Sequence, residues 1–96
     1  MRREEVLAIL QAHKADLEGL GVSAVYLFGS VARNEARSES DVDILVELSR
    51  PMGYFEFLSI QFALEKWLGQ KVDLGTPDSL KPSIRERVMR EVVRAA

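Results

Sequence analysis

The residues of this chain best suited to chemistry are three aspartates in two short apolar runs. Asp41 and Asp43 stand two apart at the start of the run DVDILVEL, and Asp73 lies within the run KVDL. In a β-strand, residues two apart share one face, with Cα atoms about 6–7 Å apart. Two carboxylates so placed repel each other unless a cation lies between them, and Mg²⁺ prefers oxygen ligands of this kind. The pair therefore predicts either a metal site or an exposed, acidic start to a strand.

Asp73 favours the metal site. Both of its neighbours in the sequence are apolar and would share one face of the strand, so Asp73 would face the other way. If the two strands pair with their apolar faces aligned, the three carboxylates lie on the same side of the sheet. Two metal ions about 3.5–4 Å apart can share such a set and hold the attacking and leaving oxygens of a displacement. Asp73 could complete the metal shell or accept the proton of an attacking hydroxyl.

A glycine–serine pair at the end of a buried strand offers a site for phosphate. Gly29 and Ser30 follow the run AVYLF and precede the helix-compatible VAR, so backbone N–H groups and a hydroxyl would point into open space. Such groups at the start of a helix suit phosphate oxygens, and Arg33 adds a positive charge one turn along. Taken alone, the pair is more typical of an ordinary tight turn with a capping serine.

The elements that must position these residues alternate between helix and strand. Helices are predicted where apolar residues recur at three- and four-residue spacing between glycine and proline breaks. They span residues 2–20, 54–68 and 82–94, with a short helix after Gly29. Strands are predicted over 24–28, 43–48 and 71–74. This order predicts an α/β domain of the α+β type, with a small mixed three-stranded sheet flanked by helices. The last helix would turn inward a stripe of Ile84, Val88, Val92 and Ala95.

The predicted helix over 54–68 is apolar on two sides. One stripe consists of Phe55, Leu58 and Phe62, and the second consists of Phe57, Ile60, Leu64, Trp67 and Leu68. A helix with two apolar stripes is buried on two sides. One stripe is expected to pack on the sheet, and the other to meet a neighbouring helix of this chain or another protein.

Composition limits the classes of protein to which the chain could belong. Its 96 residues suffice for one domain, and no cysteine is present for a disulfide, a thiolate metal site or a nucleophile. The net charge of −2 makes direct nucleic-acid binding unfavourable, because that generally needs a basic surface. Since no apolar stretch approaches the ~18 residues of a membrane span, we expect no membrane association and a cytoplasmic protein. His13, the one histidine, is expected to be structural or exposed rather than catalytic.

The combination of turn and acids resembles a known family. The pattern GS-x-AR followed by SD-x-D-x-x-V is the signature of the nucleotidyltransferase superfamily that includes DNA polymerase β. The matching residues here are Gly29, Ser30, Ala32, Arg33, Ser40, Asp41, Asp43 and Val46. The chain is most similar to the minimal nucleotidyltransferases, which occur beside HEPN-domain partners in toxin–antitoxin pairs. The similarity extends through residues 72–93 and so covers most of the chain.

The resemblance implies a single minimal nucleotidyltransferase domain over residues 1–96, two Mg²⁺ ions and ATP as substrate. It implies that the catalytic, metal-binding residues are Asp41, Asp43 and Asp73. It implies that the nucleotide-binding residues are Gly29, Ser30, Arg33 and Ser40. Some members adenylylate a tyrosine of the HEPN toxin, so this chain would be an antitoxin that transfers AMP to its partner.

Other readings of the resemblance stay open. The chain could neutralise its partner by binding and occlusion alone, through the second apolar stripe, or it could transfer a nucleotide to a small molecule. Assembly with a second copy or with the partner is also open. One residue departs from the family pattern, because many relatives carry glycine where this chain has Asn34. Asparagine tolerates left-handed backbone angles better than most residues, so we expect the turn to be preserved.

Overall fold

The computed structural model describes residues 1–35 and 41–96 of the chain. In these residues the helices are α1 (Arg3–Ala12), α2 (Lys14–Gly19), α3 (Gly29–Ala32), α4 (Tyr54–Leu68) and α5 (Pro82–Glu91), with a 3₁₀ turn at Pro77–Ser79. The strands are β1 (Val22–Phe28), β2 (Val42–Leu48), β3 (Val72–Gly75) and β4 (Val93–Arg94). The mixed α/β class is confirmed, whereas the strand count is not, since the described residues form four strands rather than three.

The four strands form one mixed sheet in the order β3-β2-β1-β4. β1 pairs antiparallel with both β2 and β4, while β2 and β3 are parallel and are joined by the crossover helix α4. One apolar core joins the sheet to α1, α2 and α4. Its fully buried side chains include Val6, Leu10, Leu17, Val25, Leu27, Ile44, Val46, Ile60 and Leu64. Within the described ranges, no helix is long and apolar enough to cross a membrane.

The first predicted helix, over residues 2–20, is two helices that meet at His13. The backbone of His13 has φ −103° and ψ 17°, outside the helical region, although its N–H still donates to the carbonyls of Ile9 and Leu10. Its ring stacks on Trp67 of α4, with centroids 4.0 Å apart and planes 5° from parallel. This contact between helices lies at the break, and it gives His13 a structural role, as predicted.

The last predicted helix is wrong at its C-terminal end. Helix α5 ends at Glu91, and Val92 is extended, with φ −68° and ψ 150°. The following residues pair with β1, where Ala95 N–H donates to the Val25 carbonyl at 2.8 Å. The unpaired edge of β1 offers hydrogen-bonding groups that a continued helix would leave unsatisfied. The predicted inward stripe is wrong within the helix, because α5 has no buried residue and Ile84 is 47% exposed, but Ala95, after β4, is buried in the core.

Helix α4 spans 54–68 as predicted. It ends at Gly69, whose left-handed backbone and N–H bond to the Glu65 carbonyl close the last turn. The second apolar stripe packs into the core, with Ile60 and Leu64 fully buried and Phe57 and Trp67 partly so. The other stripe is open, since Phe55 is 82% exposed and Phe62 62% exposed.

Candidate active site

The register of the sheet brings two of the three predicted acids side by side. Asp43 of β2 lies opposite Asp73 of β3 in the parallel pair, and opposite Phe28 of β1 in the antiparallel pair. Neighbouring strands lie about 4.8 Å apart, so the two carboxylates leave adjacent strands at the same level. Asp41 directly precedes β2 and lies near enough for its negative charge to raise the pKa of Asp43. The structure thus gathers Asp41, Asp43 and Asp73 at one end of the sheet.

Asp43 is the most enclosed of the three carboxyl groups. Its side chain is half-buried, whereas Asp41 and Asp73 are exposed. Burial raises the pKa of Asp43 above its ordinary value, and the negative charges of Asp73 and then Asp41 raise it further. The positive charge of Arg33 acts in the opposite direction and lowers that pKa. The repulsion among the acids is the electrostatic condition that a bound cation would relieve.

Gly29 allows the Gly29–Ser30 turn, the candidate phosphate site, to lie directly against Asp43. Its φ is +69°, a left-handed conformation that favours glycine. A Cβ placed on Gly29 would overlap the Asp43 carboxylate oxygen Oδ2 and lie 3.1 Å from Asp43 Cγ. The turn and the acids therefore form one continuous surface, which sequence spacing could suggest but not establish.

The remaining predicted nucleotide ligands divide between described and undescribed residues. Ser30 is the second residue of α3 and is half-buried. Arg33 follows α3 and is exposed, with its Nε donating to Glu35 Oε2 at 3.1 Å. A polyphosphate would have to compete with Glu35 for this guanidinium. Ser40 lies outside the described residues.

Two side chains of α4 hold the strand that carries Asp73, and sequence reasoning missed them. Val72 N–H donates to Glu65 Oε2 at 3.0 Å, and Gln61 Nε2 donates to the Val72 carbonyl at 3.1 Å. Both backbone groups of Val72 face away from β2, so these contacts satisfy the outer edge of β3. Gln61 and Glu65 interrupt the apolar stripes of α4 four residues apart, which was the one signal available in the sequence.

The donor set suits a hard divalent cation. Carboxylate oxygens are the ligands that Mg²⁺ prefers. A bound cation would also offset the repulsion that burial and the neighbouring carboxylates impose on the charge of Asp43. Among residues 1–35 and 41–96, however, no three acidic or histidine side chains converge closely enough to enclose a metal ion. Any metal held here would have to take further oxygens from water and substrate phosphates, which is the usual habit of Mg²⁺.

Among the described residues, a large cavity lies away from the three acids. A cavity of about 590 Å³ is bordered by Glu47, Arg50 and Thr76 among others, and none of the three acids borders it. It lies at the far end of β2 from Asp43.

Comparison with known proteins places this geometry in a family. A model of the nucleotidyltransferase domain matches residues 7–95. A protein adenylyltransferase, MntA of Thermococcus cleftensis, is 45% identical over 91 residues, which are 94% of this chain and 92% of that protein.

Solved structures share the fold. One described as a putative minimal nucleotidyltransferase superposes with a TM-score of 0.84 at 36% identity, covering 97% of this chain and 95% of that one. A second is the complex of a tri-AMPylated Shewanella oneidensis HEPN toxin with its MNT antitoxin. It superposes with a TM-score of 0.59 at 20% identity, covering 90% of this chain and 71% of that one. At that identity, the second likeness concerns the fold alone.

Proposed function

We infer the function of this chain from its family. The chain belongs to the nucleotidyltransferase domain family and is an enzyme of that class. The proposed reaction is the transfer of AMP from ATP to a hydroxyl group, a tyrosine, of a HEPN toxin. The protein would then be the antitoxin of the pair and act in the cytoplasm, where ATP is supplied. A relative named as a protein adenylyltransferase supports the donor, and an AMPylated HEPN toxin in a structural neighbour supports the acceptor.

The chemistry follows from the surface around Asp43. The acceptor hydroxyl oxygen attacks the α-phosphorus of ATP, a new oxygen–phosphorus bond forms, and the bond to the leaving pyrophosphate breaks. Asp73, exposed beside Asp43, accepts the hydroxyl proton. The Gly29–Ser30 turn binds the β- and γ-phosphates through backbone N–H groups and the serine hydroxyl, while Arg33 and Ser40 contribute further contacts. Positioning and charge neutralisation supply the catalysis, so a covalent enzyme intermediate is not needed.

Asp41, Asp43 and Asp73 are the residues that would hold two Mg²⁺ ions. When bound, such ions neutralise charge on the phosphates and on the attacking and leaving oxygens. The acids themselves need that neutralisation, because burial, and then the charges of Asp73 and Asp41, raise the pKa of Asp43.

One observation carries this proposal. Asp43 pairs in register with Asp73 and lies against Gly29, where a Cβ would have no room. The test is incubation of the protein with labelled ATP, MgCl₂ and the HEPN toxin. We expect the toxin to gain AMP with wild-type protein, and we expect transfer to fall at least about 1000-fold with Asp41→Asn combined with Asp43→Asn.

Asp78→Asn is the matched control. Asp78 is an exposed acid on the 3₁₀ turn, outside the acidic group, so its variant should label the toxin at the wild-type rate. Equal labelling by wild type and by the Asp41/Asp43 double variant would refute the assignment of the acids. Absence of any AMP on the toxin would refute the reaction itself.

A second function is favoured by the open face of α4. Tyr54, Phe55 and Phe62 are all more than half exposed, which is unusual for large apolar side chains. This face could bind the toxin and neutralise it by occlusion alone. The second stripe, which contains Phe57 and Trp67, is not free for this purpose because it packs into the core.

The two functions separate in a toxin-protection assay. If occlusion is sufficient, the Asp41/Asp43 double variant protects cells as well as wild type, whereas Phe55→Ser with Phe62→Ser does not. If AMP transfer is required, the acid variant loses protection. The surface variant must unfold at the wild-type temperature for this comparison to hold, which its exposed positions predict.

A further inference from the structure

The turn that carries Gly29 and Ser30 is tied to the start of α1 by two hydrogen bonds, both donated by Arg3. The backbone N–H of Arg3 donates to Asn34 Oδ1 at 3.3 Å. The guanidinium Nη1 of Arg3 donates to the Ala32 carbonyl at 3.2 Å. Two residues at the beginning of the chain's first helix and at the end of the turn thus hold each other.

Each of these bonds satisfies a backbone group that a helix end leaves free. Arg3 is the first residue of α1, so its N–H has no acceptor within that helix. Ala32 is the last residue of α3, so its carbonyl has no donor within α3. Asn34 therefore caps α1 from outside, and Arg3 caps α3 in return.

The backbone of Asn34 closes the turn. Its φ is +59°, and it is the one non-glycine residue with positive φ among residues 1–35 and 41–96. Its N–H donates to the Val31 carbonyl at 2.9 Å, and the following N–H, of Glu35, donates to the Ser30 carbonyl at 2.8 Å. A glycine could adopt this backbone equally well, so the side-chain oxygen bound to Arg3 is what asparagine adds.

The Arg3 side chain is held in place for this contact. Its Nη2 pairs with Glu4 Oε1 at 3.5 Å, and the side chain is only 38% exposed. A four-residue helix such as α3 has too few hydrogen bonds to be stable by itself. Outside support therefore has a large influence on how often the turn holds its observed conformation.

We propose that Arg3 and Asn34 are positioning residues that hold the Gly29–Arg33 turn in the conformation that receives the triphosphate. This inference rests on the proposed nucleotidyl transfer. In this role Arg3 and Asn34 act through the turn: they order it before ATP binds, which reduces the conformational entropy lost on binding and strengthens binding. Their loss should therefore raise the KM for ATP and leave kcat almost unchanged.

The test uses Asn34→Gly, which keeps the left-handed backbone but removes Oδ1, and Arg3→Ala, which removes Nη1. Arg2→Ala is the matched control, because Arg2 is the neighbouring arginine, its side chain is 74% exposed, and that side chain pairs with Glu4 at a distance of 4.0 Å. Two quantities are measured for each protein. The first is the hydrogen-exchange rate of the backbone amides of residues 29–33 without nucleotide, and the second is the KM and kcat for ATP with the toxin as acceptor.

Each test variant should accelerate exchange at the turn about fivefold and raise the KM for ATP about fivefold, the effect of one net hydrogen bond. The kcat should match the wild type, the Tm should fall by no more than the roughly 4–8 °C that the loss of one such bond causes in a domain of this size, and Arg2→Ala should change nothing. Turn exchange and KM equal to the wild-type values in both variants would overturn the proposal. So would accelerated exchange at the turn with an unchanged KM for ATP, which would indicate a merely structural role.

The hydrogen-exchange measurement separates this inference from the proposed reaction. If the wild type transfers no AMP, the reaction fails, whatever the exchange rates are. If the wild type transfers AMP while turn exchange and KM are unchanged in both variants, only the positioning role fails.

Discussion

Gly29 meets two constraints at one position, a left-handed backbone and contact with the Asp43 carboxylate. We predict that Gly29→Ala lowers AMP transfer at least about 100-fold, since displacements near 1 Å in an active site can have effects of this size. The added Cβ must displace either the carboxylate or the turn. The measurement is the rate of toxin labelling at saturating ATP, with circular dichroism to show that the variant is folded.

Gly19→Ala is the control for this glycine. Gly19 ends α2, and a Cβ there would meet nothing within 4 Å. Labelling at the wild-type rate is expected, with a gain in stability of up to about 1 kcal/mol because alanine restricts the unfolded chain. Loss of activity in both variants would show that general disruption, and not the site, is responsible.

The raised pKa of Asp43 gives a pH dependence of stability with a definite sign. Between the ordinary carboxyl pKa of 3.8 and the higher folded-state pKa, the folded protein keeps a proton that the unfolded chain has lost. The free energy of unfolding therefore falls as pH rises through this window and stays lower above it. Asp43→Asn removes the charge, so in chelator its Tm should exceed that of the wild type at pH 7.

The higher Tm of Asp43→Asn relative to the wild type should disappear below pH 3.8, where the carboxyl group is protonated in both folded and unfolded states. Thermal unfolding at several pH values, without metal, measures this difference. A variant that is less stable than the wild type at pH 7 would contradict the unfavourable burial of this charge.

At the scale of single elements, α4 joins β2 to β3 and also holds the outer edge of β3. Its Gln61 and Glu65 side chains hydrogen-bond to both backbone groups of Val72, the residue before Asp73. We predict that Glu65→Ala lowers the free energy of unfolding by about 1–2 kcal/mol, because it leaves the Val72 N–H unsatisfied. AMP transfer should fall several-fold as β3 loosens around Asp73. Chemical denaturation and toxin labelling measure the two effects.

Glu65→Gln keeps an oxygen acceptor at the same position and should restore most of the stability and activity. Lys66→Ala, at the next, exposed position of α4, should change the stability by no more than about 0.5 kcal/mol. If Glu65→Ala transferred AMP as fast as Lys66→Ala, the α4 contacts would have no part in positioning Asp73.

Some elements could be predicted from the sequence and others could not. Helix α4 has a long 3.6-residue apolar period and a terminal glycine, so both of its ends were predicted correctly. β4 could not be predicted, because REVVRAA is compatible with a helix and pairs with β1 only through hydrogen bonds distant in sequence. The break at His13 could not be predicted either, because the ring of His13 stacks there on Trp67, which belongs to a helix distant in sequence.

At the scale of the whole molecule, one apolar core joins the sheet to α1, α2 and α4, and the single domain over residues 1–96 stays a prediction. We expect unfolding in one cooperative step. Trp67, the one tryptophan, reports the contact between α1 and α4 by fluorescence, and far-ultraviolet circular dichroism reports all helices. Ile60→Ala, at a fully buried position, should lower the free energy of unfolding by about 2–5 kcal/mol and shift both signals together.

Phe62→Ala provides the comparison for Ile60→Ala on the same helix. Phe62 is 62% exposed, so truncation should change the free energy of unfolding by about 0.5 kcal/mol or less. Fluorescence and circular dichroism transitions at different denaturant concentrations would contradict a single cooperative domain.

The sequence by itself determined the candidate site and the family resemblance of this protein, because residue type and short spacing are local properties. Two acids two apart, a third between apolar neighbours and a glycine–serine turn indicated a site for metal and phosphate, and the resemblance of these motifs to a known family indicated a nucleotidyltransferase. Only the tertiary structure decided which strand pairs with which, that Asp43 faces Asp73, and which stripe of α4 is open. It also revealed the contacts of Arg3 with Asn34 and of Glu65 with Val72. These depend on groups that are far apart in the chain, and their partners are fixed only when the core packs.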